Sequence, residues 1–466
     1  MRRQLIGATI TLSLLTGATV GQKKYQRPTV EKPDSFRGTE TPVTDPASIG
    51  DLKWFEVFKD EDLRQLVRTA MIRNYDLRIA ATRINAARAN LGLARSDQFP
   101  QIDITSNSVT TRASRNGATN VQAGTRTFGS LLLNLLSFEV DIWGRLRQRT
   151  KAARAELKAT EEDRRAAMTT VVSDVATGYF TLLELDSDLD IARRTLSARE
   201  NSLRIIKLRE QGGLATMLEV RQGEQLVYQA SQTIPDTERL IEQQENQISL
   251  LTGNNPGPVA RSRTLTEQQE LPGVPPGLPS SLLERRPDIR AAEQRLIQAH
   301  AFVHAAKAAY FPAISLTGLL GLQSNQLSNL FSGGSGTWSF ASQVTQPLFT
   351  AGRLKSNVRF EQAEQELAVA HYEQTIQTSF REVSDSLVEY RKVKEVRTQQ
   401  ALLVTTLRDR ARLAYLRYQG GVDSLLNALD ADRDLFNSEL NLALTKRNEL
   451  VSLVQLYKAL GGGWQQ

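Results

Sequence analysis

The sequence contains no cysteine and only 3 histidines among its 466 residues. Without cysteine the chain cannot form disulfides, thiolate zinc sites, iron–sulfur clusters or cysteine nucleophiles. With so few histidines, metal and acid–base chemistry would have to rest on carboxylates and lysines. The sequence also lacks a glycine-rich loop with P-loop spacing, so a partner has to supply any energy that its function consumes.

Neither a strong charge imbalance nor a long apolar run is present. The net charge is +7, from 58 basic and 51 acidic residues that are interleaved along the chain, and this balance gives no argument for a nucleic-acid partner. Beyond the N-terminal segment there is no run of about 18 apolar residues, so no membrane-spanning helix is expected there.

The N-terminus predicts export. Residues 1–18 have the layout of a signal peptide: two arginines, a stretch of apolar and small residues too short to span a membrane, and Ala18 after a small residue. Residues 19–60 contain four prolines in a polar run, which predicts an extended segment that is mobile or draped over another part of the molecule.

Proline placement predicts two long helices. No proline lies between Pro100 and Pro235 or after Pro347, and both gaps are rich in good helix formers. We predict helices over 144–210 and 352–419, each roughly 100 Å long at the α-helical rise. Such helices have to run side by side in a bundle, a coiled coil or a tube.

The chain repeats itself. Residues 94–105 match 306–317 around a Phe-Pro pair, 144–147 match 352–355, and 208–218 match 416–426 around a Gly-Gly pair. The sequence therefore predicts two copies of one unit of about 200 residues. Repeat 1 is predicted over 61–253 and repeat 2 over 281–466, joined by a Pro/Gly-rich linker over 254–280.

Each repeat is predicted to contain helices, two strands, a long helix, a Gly-Gly turn and a shorter helix, over 214–252 or 422–460. The predicted strands cover 101–111, 128–143, 313–323 and 337–349. In the third strand Ile314, Leu316, Gly318, Leu320 and Leu322 lie on one face, and Ser315, Thr317 and Gln323 lie on the other. Segments of about 10 residues have the length of tilted transmembrane strands. Polar loops at 112–127 and 324–336 are typical of hairpin tips in water.

Two interpretations of these strands remain open at this point. They form either a soluble antiparallel sheet packed on the helices or part of a transmembrane structure. Four strands cannot close on themselves, and open sheet edges are not tolerated in lipid. Several chains would therefore have to contribute strands, and three chains would make a closed twelve-stranded barrel.

Four motifs carry a resemblance to a known family. The most specific is LPSSLLERRPDIRAAEQRLIQAHAFVHAAKAAYFPAISLTG at 278–318, with its Arg-Arg-Pro-Asp-Ile-Arg core, supported by 19–28, 138–147 and 417–426. These motifs span essentially the whole chain after the signal peptide, in family order. On them the sequence resembles the TolC-type outer-membrane factor family, and most closely the branch that serves RND multidrug transporters.

The resemblance implies an α+β membrane protein. The fold would be a trimer with a twelve-stranded transmembrane β-barrel, four strands from each chain, continuous with a long periplasmic α-helical barrel and a mixed equatorial belt. Its function would be a passive exit duct of a tripartite efflux system in the outer membrane. Its partners would be two further copies, a periplasmic adaptor, an inner-membrane RND transporter and outer-membrane lipid. Such a duct is not an enzyme and needs no cofactor.

The resemblance places the periplasmic mouth, where an adaptor docks, at the two Gly-Gly turns. The residues concerned are Gly212 and Gly213 with Arg209 before them, and Gly420 and Gly421 with Arg417 and Tyr418 before them. The residues before the turns would hold the mouth shut or meet the adaptor. Alternatively, they are ordinary helix-surface residues and the glycines only end the helices.

The family carries its mouth gate just after the second turn. Asp423, Leu426 and Asp430 have spacings that put them along one helix face, and Leu426 and Asp430 match the gate positions. In a trimer, aspartate rings attract cations and leucine rings constrict a pore. Asn427 stands where some relatives have a second aspartate, so a double acidic ring is not implied. Alternatively, Asp423 caps the helix, which is compatible with the gate, and Leu426 is a core residue, which is not.

Two further features bear on the chemistry of the chain. In the lipoprotein branch the signal ends in a Leu-x-Gly-Cys box, whereas Gly17 is followed here by Ala18. Either ordinary signal peptidase cleaves the chain and the barrel anchors it, or the cysteine was removed by engineering; we expect an unlipidated mature N-terminus. His300 and His304 are an i, i+4 pair without an evident third ligand, and no metal site is predicted.

The main alternative to a duct is a structural or adhesive coiled-coil protein of the cell surface. A duct predicts lipid-facing alternation in all four strands, whereas a stalk predicts sustained heptads in the long helices. The sequence shows partial alternation and no sustained heptads, which favours the duct. An enzyme is a weaker third possibility, because no constellation of catalytic residues converges.

Overall fold

The computed structural model describes residues 25–30, 33, 36–37, 48–112, 125–268, 277 and 279–465. The predicted signal peptide with Ala18, much of the extended segment 19–60 and parts of the loop 112–127 and the linker 254–280 lie outside the described residues.

The chain divides into two compact units. The first unit comprises 1–29, 85–159 and 292–372 and contains all four strands, and the second comprises 30–84, 160–291 and 373–466 and contains most of the helical residues. The helices are α1 (Trp54–Val57), α2 (Glu61–Arg73), α3 (Tyr75–Ser96), α4 (Arg145–Gln211), α5 (Met217–Leu251), α6 (Pro279–Arg285), α7 (Pro287–Ala308), α8 (Arg353–Gln419) and α9 (Leu425–Ala459). The strands are β1 (Ile102–Arg112), β2 (Thr125–Glu139), β3 (Ala313–Ser324) and β4 (Gly336–Thr345).

The two halves of the chain contain helices of equal length in the same order. Helices α3 and α7 each have 22 residues, α4 and α8 each have 67, and α5 and α9 each have 35. The predicted bounds of α4, α5, α8 and α9 lie within three residues of the observed ones. The shorter helices begin later than predicted because Thr216 and Ser424 serve as their N-caps.

Among the described residues, no helix carries a stretch long and apolar enough to cross a membrane.

The four strands form one antiparallel sheet in the order β1-β2-β3-β4. Its register pairs Ile104 with Leu133, Leu133 with Leu320, and Leu320 with Trp338, so these four side chains share one face. Asn134 lies on the opposite face and donates to Asp103 Oδ1 and Thr105 Oγ1, each at 2.9 Å. The predicted alternation of β3 is therefore confirmed, and it extends across the sheet.

Two predicted strand ends were wrong. Strand β2 ends at Glu139 rather than 143, because the chain turns there: Ile142 N–H donates to Val140 O at 2.8 Å and Gly144 adopts φ +78°. Strand β4 ends at Thr345 rather than 349, shortly before Pro347, which has no N–H to donate to a neighbouring strand. Strand β2 also begins at Thr125, three residues earlier than predicted.

Candidate functional site

The two Gly-Gly turns are alike in their backbone. After α4, Leu214 N–H donates to Arg209 O at 2.7 Å and Gly213 N–H donates to Glu210 O at 2.9 Å. After α8, Val422 N–H donates to Arg417 O at 3.1 Å and Gly421 N–H donates to Tyr418 O at 3.0 Å. This paired pattern is the Schellman motif, whose C′ residue needs a left-handed conformation. Gly213 and Gly421 both adopt φ +71°, so the second glycine of each pair is the required one.

The two turns differ in how they start the next helix. Helix α5 begins with a capping box, in which Thr216 and Glu219 each accept from the backbone N–H of the other. Helix α9 begins at an N-cap, Ser424, whose side chain makes no capping bond. Asp423 precedes this N-cap, and its Oδ1 accepts from Ser424 N–H at 2.8 Å rather than from an N–H of the first helical turn. The alternative in which Asp423 itself caps the helix is therefore wrong: the N-cap is Ser424.

Asp423 is also the centre of a side-chain network at the second turn. Its Oδ2 accepts from Arg417 Nε at 3.1 Å, and its Oδ1 accepts from Asn427 Nδ2 at 2.7 Å. The hydrogen bonds from Asn427, Ser424 N–H and Arg417 lower the pKa of Asp423. Arg417, which lies before the turn, is thus hydrogen-bonded to Asp423, which follows the turn.

Leu425 and Leu426 lie next to each other on α9 and have opposite surroundings. Leu425 is 2% exposed and packs with Ile206, Val220 and Tyr418, whereas Leu426 is 52% exposed in the single chain. The core position that the alternative interpretation gave to Leu426 is therefore occupied by Leu425. Asp430 lies one helical turn beyond Leu426, is partly exposed, and pairs with Arg433 Nη2 at 3.2 Å.

Arg209 and Tyr418 join the two turns. The guanidinium carbon of Arg209 lies 4.8 Å from the centroid of the Tyr418 ring, a cation–π arrangement. Tyr418 is only 6% exposed and belongs to the buried apolar cluster that joins the helices next to the two Gly-Gly turns, which we call the helix tips. Burial, together with the nearby Glu219, raises the pKa of Tyr418. Little of the Tyr418 surface is left for a partner, whereas Arg417 is exposed.

Sequence reasoning missed a buried arginine behind the tips. Arg199 is 3% exposed; its Nε donates to Asp432 Oδ2 at 2.7 Å and its Nη1 donates to Leu226 O at 3.0 Å. Its guanidinium lies 5.0 Å from the Phe436 ring centroid. Arg199 thereby ties α4 to α5 and α9. No local sequence signal marks this residue, because its ion-pair partner is 233 positions away.

A buried acid pair on α4 was also missed. Glu184 is buried and Asp188 is partly buried, and the two carboxyl groups lie one helical turn apart and interact. Burial and the neighbouring Glu184 raise the pKa of Asp188 to about 7, although Arg447 acts in the opposite direction. An i, i+4 pair of acids on a helix could have suggested this coupling, but burial could not be inferred from the sequence.

The most specific sequence motif has a structural role in the second unit. Arg286 bonds Asp288 through two nitrogens, at 3.0 and 2.6 Å, and donates to the Ala459 carbonyl at 2.9 Å. It also pairs with Glu382 at 2.7 Å. The motif thus joins the start of α7 to α8 and to the end of α9.

The two histidines of the predicted pair face each other, with Nε2 of His300 and Nε2 of His304 3.2 Å apart. Gln365 Nε2 lies 3.4 Å from His300 Nδ1. Within the described residues, no cluster of three or more metal-ligating side chains is present.

The sheet is the second functional feature, because its apolar face is uncovered in the single chain. The exposed side chains on that face are Ile102 at 63%, Ile104 at 69%, Leu133 at 43%, Leu320 at 60%, Trp338 at 74%, Phe340 at 63% and Val344 at 65%. All four strands contribute to it. Strands β1 and β4 are the two edges of the sheet.

Comparisons with known proteins agree with this architecture. The family model described as outer membrane efflux protein matches residues 66–254 and 278–462. The chain is 36% identical over 472 aligned positions to the probable efflux pump outer membrane protein TtgC of Pseudomonas putida, covering 100% of this chain and 97% of that protein. It is also 36% identical to the outer membrane protein OprJ of Pseudomonas aeruginosa, covering 100% and 98%.

A solved structure extends the similarity to three dimensions. The open state of the MtrE outer membrane channel of Neisseria gonorrhoeae aligns with a TM-score of 0.87 at 29% identity, covering 95% of this chain and 98% of that one.

Proposed function

Because the chain belongs to the outer membrane efflux protein family, we propose that it is the passive exit duct of a tripartite efflux system. The protein is an outer-membrane efflux protein and not an enzyme. We further propose that it works as a trimer, with an adaptor and a transporter as partners and a gate at its periplasmic mouth.

The sheet with one apolar and one polar face is the observation that carries the proposal. Its apolar face is exposed in all four strands, and a soluble protein would cover so large a patch. Lipid suits this face, while the polar face with Asn134 and Asp103 suits a water-filled lumen. Because open edges are not tolerated in lipid, β4 of one copy has to pair with β1 of the next. Three copies give the twelve-stranded barrel.

The paired helix turns are proposed as the periplasmic mouth. The Arg417–Asp423–Asn427 network holds the second turn in one conformation, and the exposed Leu426 and the partly exposed Asp430 would form constricting and acidic rings in a trimer. Arg209, Gly212, Gly213, Gly420 and Gly421 complete the surface proposed to meet a periplasmic adaptor. Tyr418 supports that surface from within, because it is buried beneath Arg209.

The energy for transport comes from a partner under this proposal. An inner-membrane RND transporter would select and drive the cargo, an adaptor would connect it to the mouth, and this chain would provide the path to the outside. The repeated helix lengths are consistent with two equivalent halves of each chain contributing to one tube wall.

Single-channel recording in planar lipid bilayers tests the duct. The purified protein should give discrete steps of small conductance; an adhesive or structural protein would give none.

Two neighbouring residues of β4 provide a matched test of the sheet faces. Trp338→Glu puts a charge on the apolar face and should prevent insertion, whereas Ser339→Glu puts it on the polar face and should leave insertion intact. Equal insertion of both variants would contradict the proposed orientation.

A further inference from the structure

We propose that a basic pocket beside the start of β1 binds the phosphate group of an anionic phospholipid in the outer membrane. The inference rests on the proposed function, since it requires the strands to lie in lipid. The pocket belongs to the first unit and has a volume of about 290 Å³. Its lining residues are Arg95, Gln98, Phe99, Arg147, Thr150, Lys151 and Arg154.

The pocket is strongly positive. Four of its seven lining residues are cationic and none is acidic. Arg147, Lys151 and Arg154 are spaced i, i+4 and i+7 on α4, so they form one exposed row, and Arg95 adds a fourth cation from the end of α3. The negatively charged oxygens of a phosphate group suit such a cluster, because guanidinium groups bind them with charge-assisted hydrogen bonds.

Three of the four cations lack a compensating carboxylate. Arg147 is held by Asp141, with Nε 3.3 Å from Oδ2, and by the Asp141 and Ile142 carbonyls. Within the described residues, Arg95, Lys151 and Arg154 pair with no acidic side chain.

The floor of the pocket is fixed by polar contacts. Thr150 Oγ1 donates to Ala94 O at 2.8 Å and accepts a bond from Gln98 Nε2. These contacts join α3 to α4, so the cations from the two helices have a defined relative position. The pocket therefore does not have to be assembled when a ligand arrives.

Apolar and aromatic residues place the pocket at a membrane interface. Phe99 lines it and is 62% exposed, and Ile102, the first residue of β1, is 63% exposed on the apolar face of the sheet. Nearby in the chain, Trp143 stacks on Phe311 with ring centroids 4.8 Å apart, and its Nε1 donates to Pro312 O at 2.8 Å. Such aromatic side chains concentrate at the level of lipid headgroups.

The combination of cations and an exposed ring favours a phospholipid over a free phosphate ion. The cations contact the phosphate, while Phe99 offers apolar surface to the glycerol and acyl region. The second repeat has basic residues at the matching positions: Lys307 for Arg95, Lys355 for Arg147 and Arg359 for Lys151. Positive charge therefore recurs where the second hairpin joins its helices.

Native mass spectrometry of the full-length protein in neutral detergent tests the site. The probes are phosphatidylglycerol and phosphatidylcholine with the same acyl chains, with inorganic phosphate as a competitor. The test variant is Arg95→Gln/Lys151→Gln/Arg154→Gln, which spares Arg147 and its bonds to Asp141. The control variant Arg83→Gln/Arg204→Gln/Lys394→Gln removes the same charge from exposed positions on α3, α4 and α8 away from the pocket. The single change Lys151→Glu serves as a second, milder variant.

We expect wild type and control to prefer phosphatidylglycerol, and the test variant to lose about tenfold in phosphatidylglycerol affinity. Lys151→Glu should weaken it in the same direction. Equal phosphatidylglycerol binding by wild type and test variant would overturn the proposal. So would displacement of the lipid by millimolar inorganic phosphate, which would identify a free-anion site.

Single-channel recording of the same preparations separates this inference from the proposed function. Unchanged conductance of the test variant, together with its lost lipid preference, supports the site and leaves the duct intact. Conductance steps in wild type without a preference for phosphatidylglycerol would overturn the lipid site alone. A lipid preference that depends on the three cations, in a protein that gives no conductance, would support the site and contradict the duct.

Discussion

Arg199 on α4 and Asp432 on α9 form an ion pair, with Nε 2.7 Å from Oδ2, across 233 positions of sequence. Their side chains are 3% and 16% exposed, so both charges are largely removed from water. The bond from Arg199 to the Leu226 carbonyl adds α5 to the same contact. One buried side chain therefore holds three helices in register just behind the paired turns.

Removing this arginine should loosen the tips. Arg199→Met leaves the carboxylate of Asp432 largely buried without its partner and removes the side-chain bond to the Leu226 carbonyl, which costs about 3 kcal/mol of local stability. Hydrogen–deuterium exchange should show faster exchange of the amides in α5 and α9 near the turns. Arg193→Met is the matched control, because the Arg193–Glu238 pair is 58% and 45% exposed, and loss of such a surface pair has little effect. Similar exchange in the two variants would contradict the role given to Arg199.

The two glycines of each turn should respond differently to alanine. Gly213→Ala should cost about 1 kcal/mol, because φ is +71° and a side chain disfavours that conformation although there is open space for a Cβ. Gly212→Ala should be neutral or slightly stabilising, because its backbone does not need glycine and its Cβ would meet only carbonyls at 3.6 Å. Local exchange rates at the tip measure both effects, and Gly421→Ala and Gly420→Ala repeat the test at the second turn. A greater loss at Gly212 than at Gly213 would contradict the assigned turn geometry.

The sequence predicts the helices and strands because their signals are local. Gaps between prolines define the long helices, and alternation at Ile314, Leu316 and Leu320 defines a sheet face. The end of β2 was harder to predict, since it depends on the turn at Gly144, whereas Pro347 could have indicated the end of β4.

The tertiary details of the tips could not be predicted. Leu425 and Leu426 are chemically identical neighbours, and only the packing of α9 against Ile206 and Val220 determines which of them is buried. Periodicity placed Asp423 on a helix face, whereas the structure puts it before the helix, bonded to Arg417. Long-range partners such as Asp432 leave no trace in local sequence.

The buried acid pair on α4 should make stability depend on pH. The pKa of Asp188 is raised to about 7 in the folded chain by burial and by Glu184, above its ordinary 3.8. An acid with a raised pKa favours the folded state when protonated, so stability is greatest at low pH and is lost as the pH rises through about 7. The melting temperature should therefore be higher at pH 5.5 than at pH 8, conditions chosen at roughly one unit or more on either side of that pKa.

Asp188→Asn should reduce that difference between the two melting temperatures, because the amide stays neutral at both. Asp190→Asn is the matched control, since Asp190 is exposed on the same helix and pairs with Arg194 at 2.9 Å. If the Asp188 variant keeps the full pH dependence, the pair does not titrate as proposed.

The gate assignment predicts that small changes at the second turn widen the mouth. Leu426→Ala removes an exposed leucine from the proposed constricting ring, and Asp430→Ala removes the acidic ring and its bond to Arg433, so each should raise single-channel conductance. Leu425→Ala, by contrast, opens a cavity in the buried cluster behind the turns and should cost about 2–5 kcal/mol.

Leu218→Ala is the matched control for conductance, because Leu218 occupies the equivalent position on the first hairpin and is 67% exposed. It should leave conductance unchanged if the second hairpin alone carries the gate. A conductance unaffected by both Leu426→Ala and Asp430→Ala would rule out a gate at these positions, and an equal rise in Leu218→Ala would place the constriction on both hairpins.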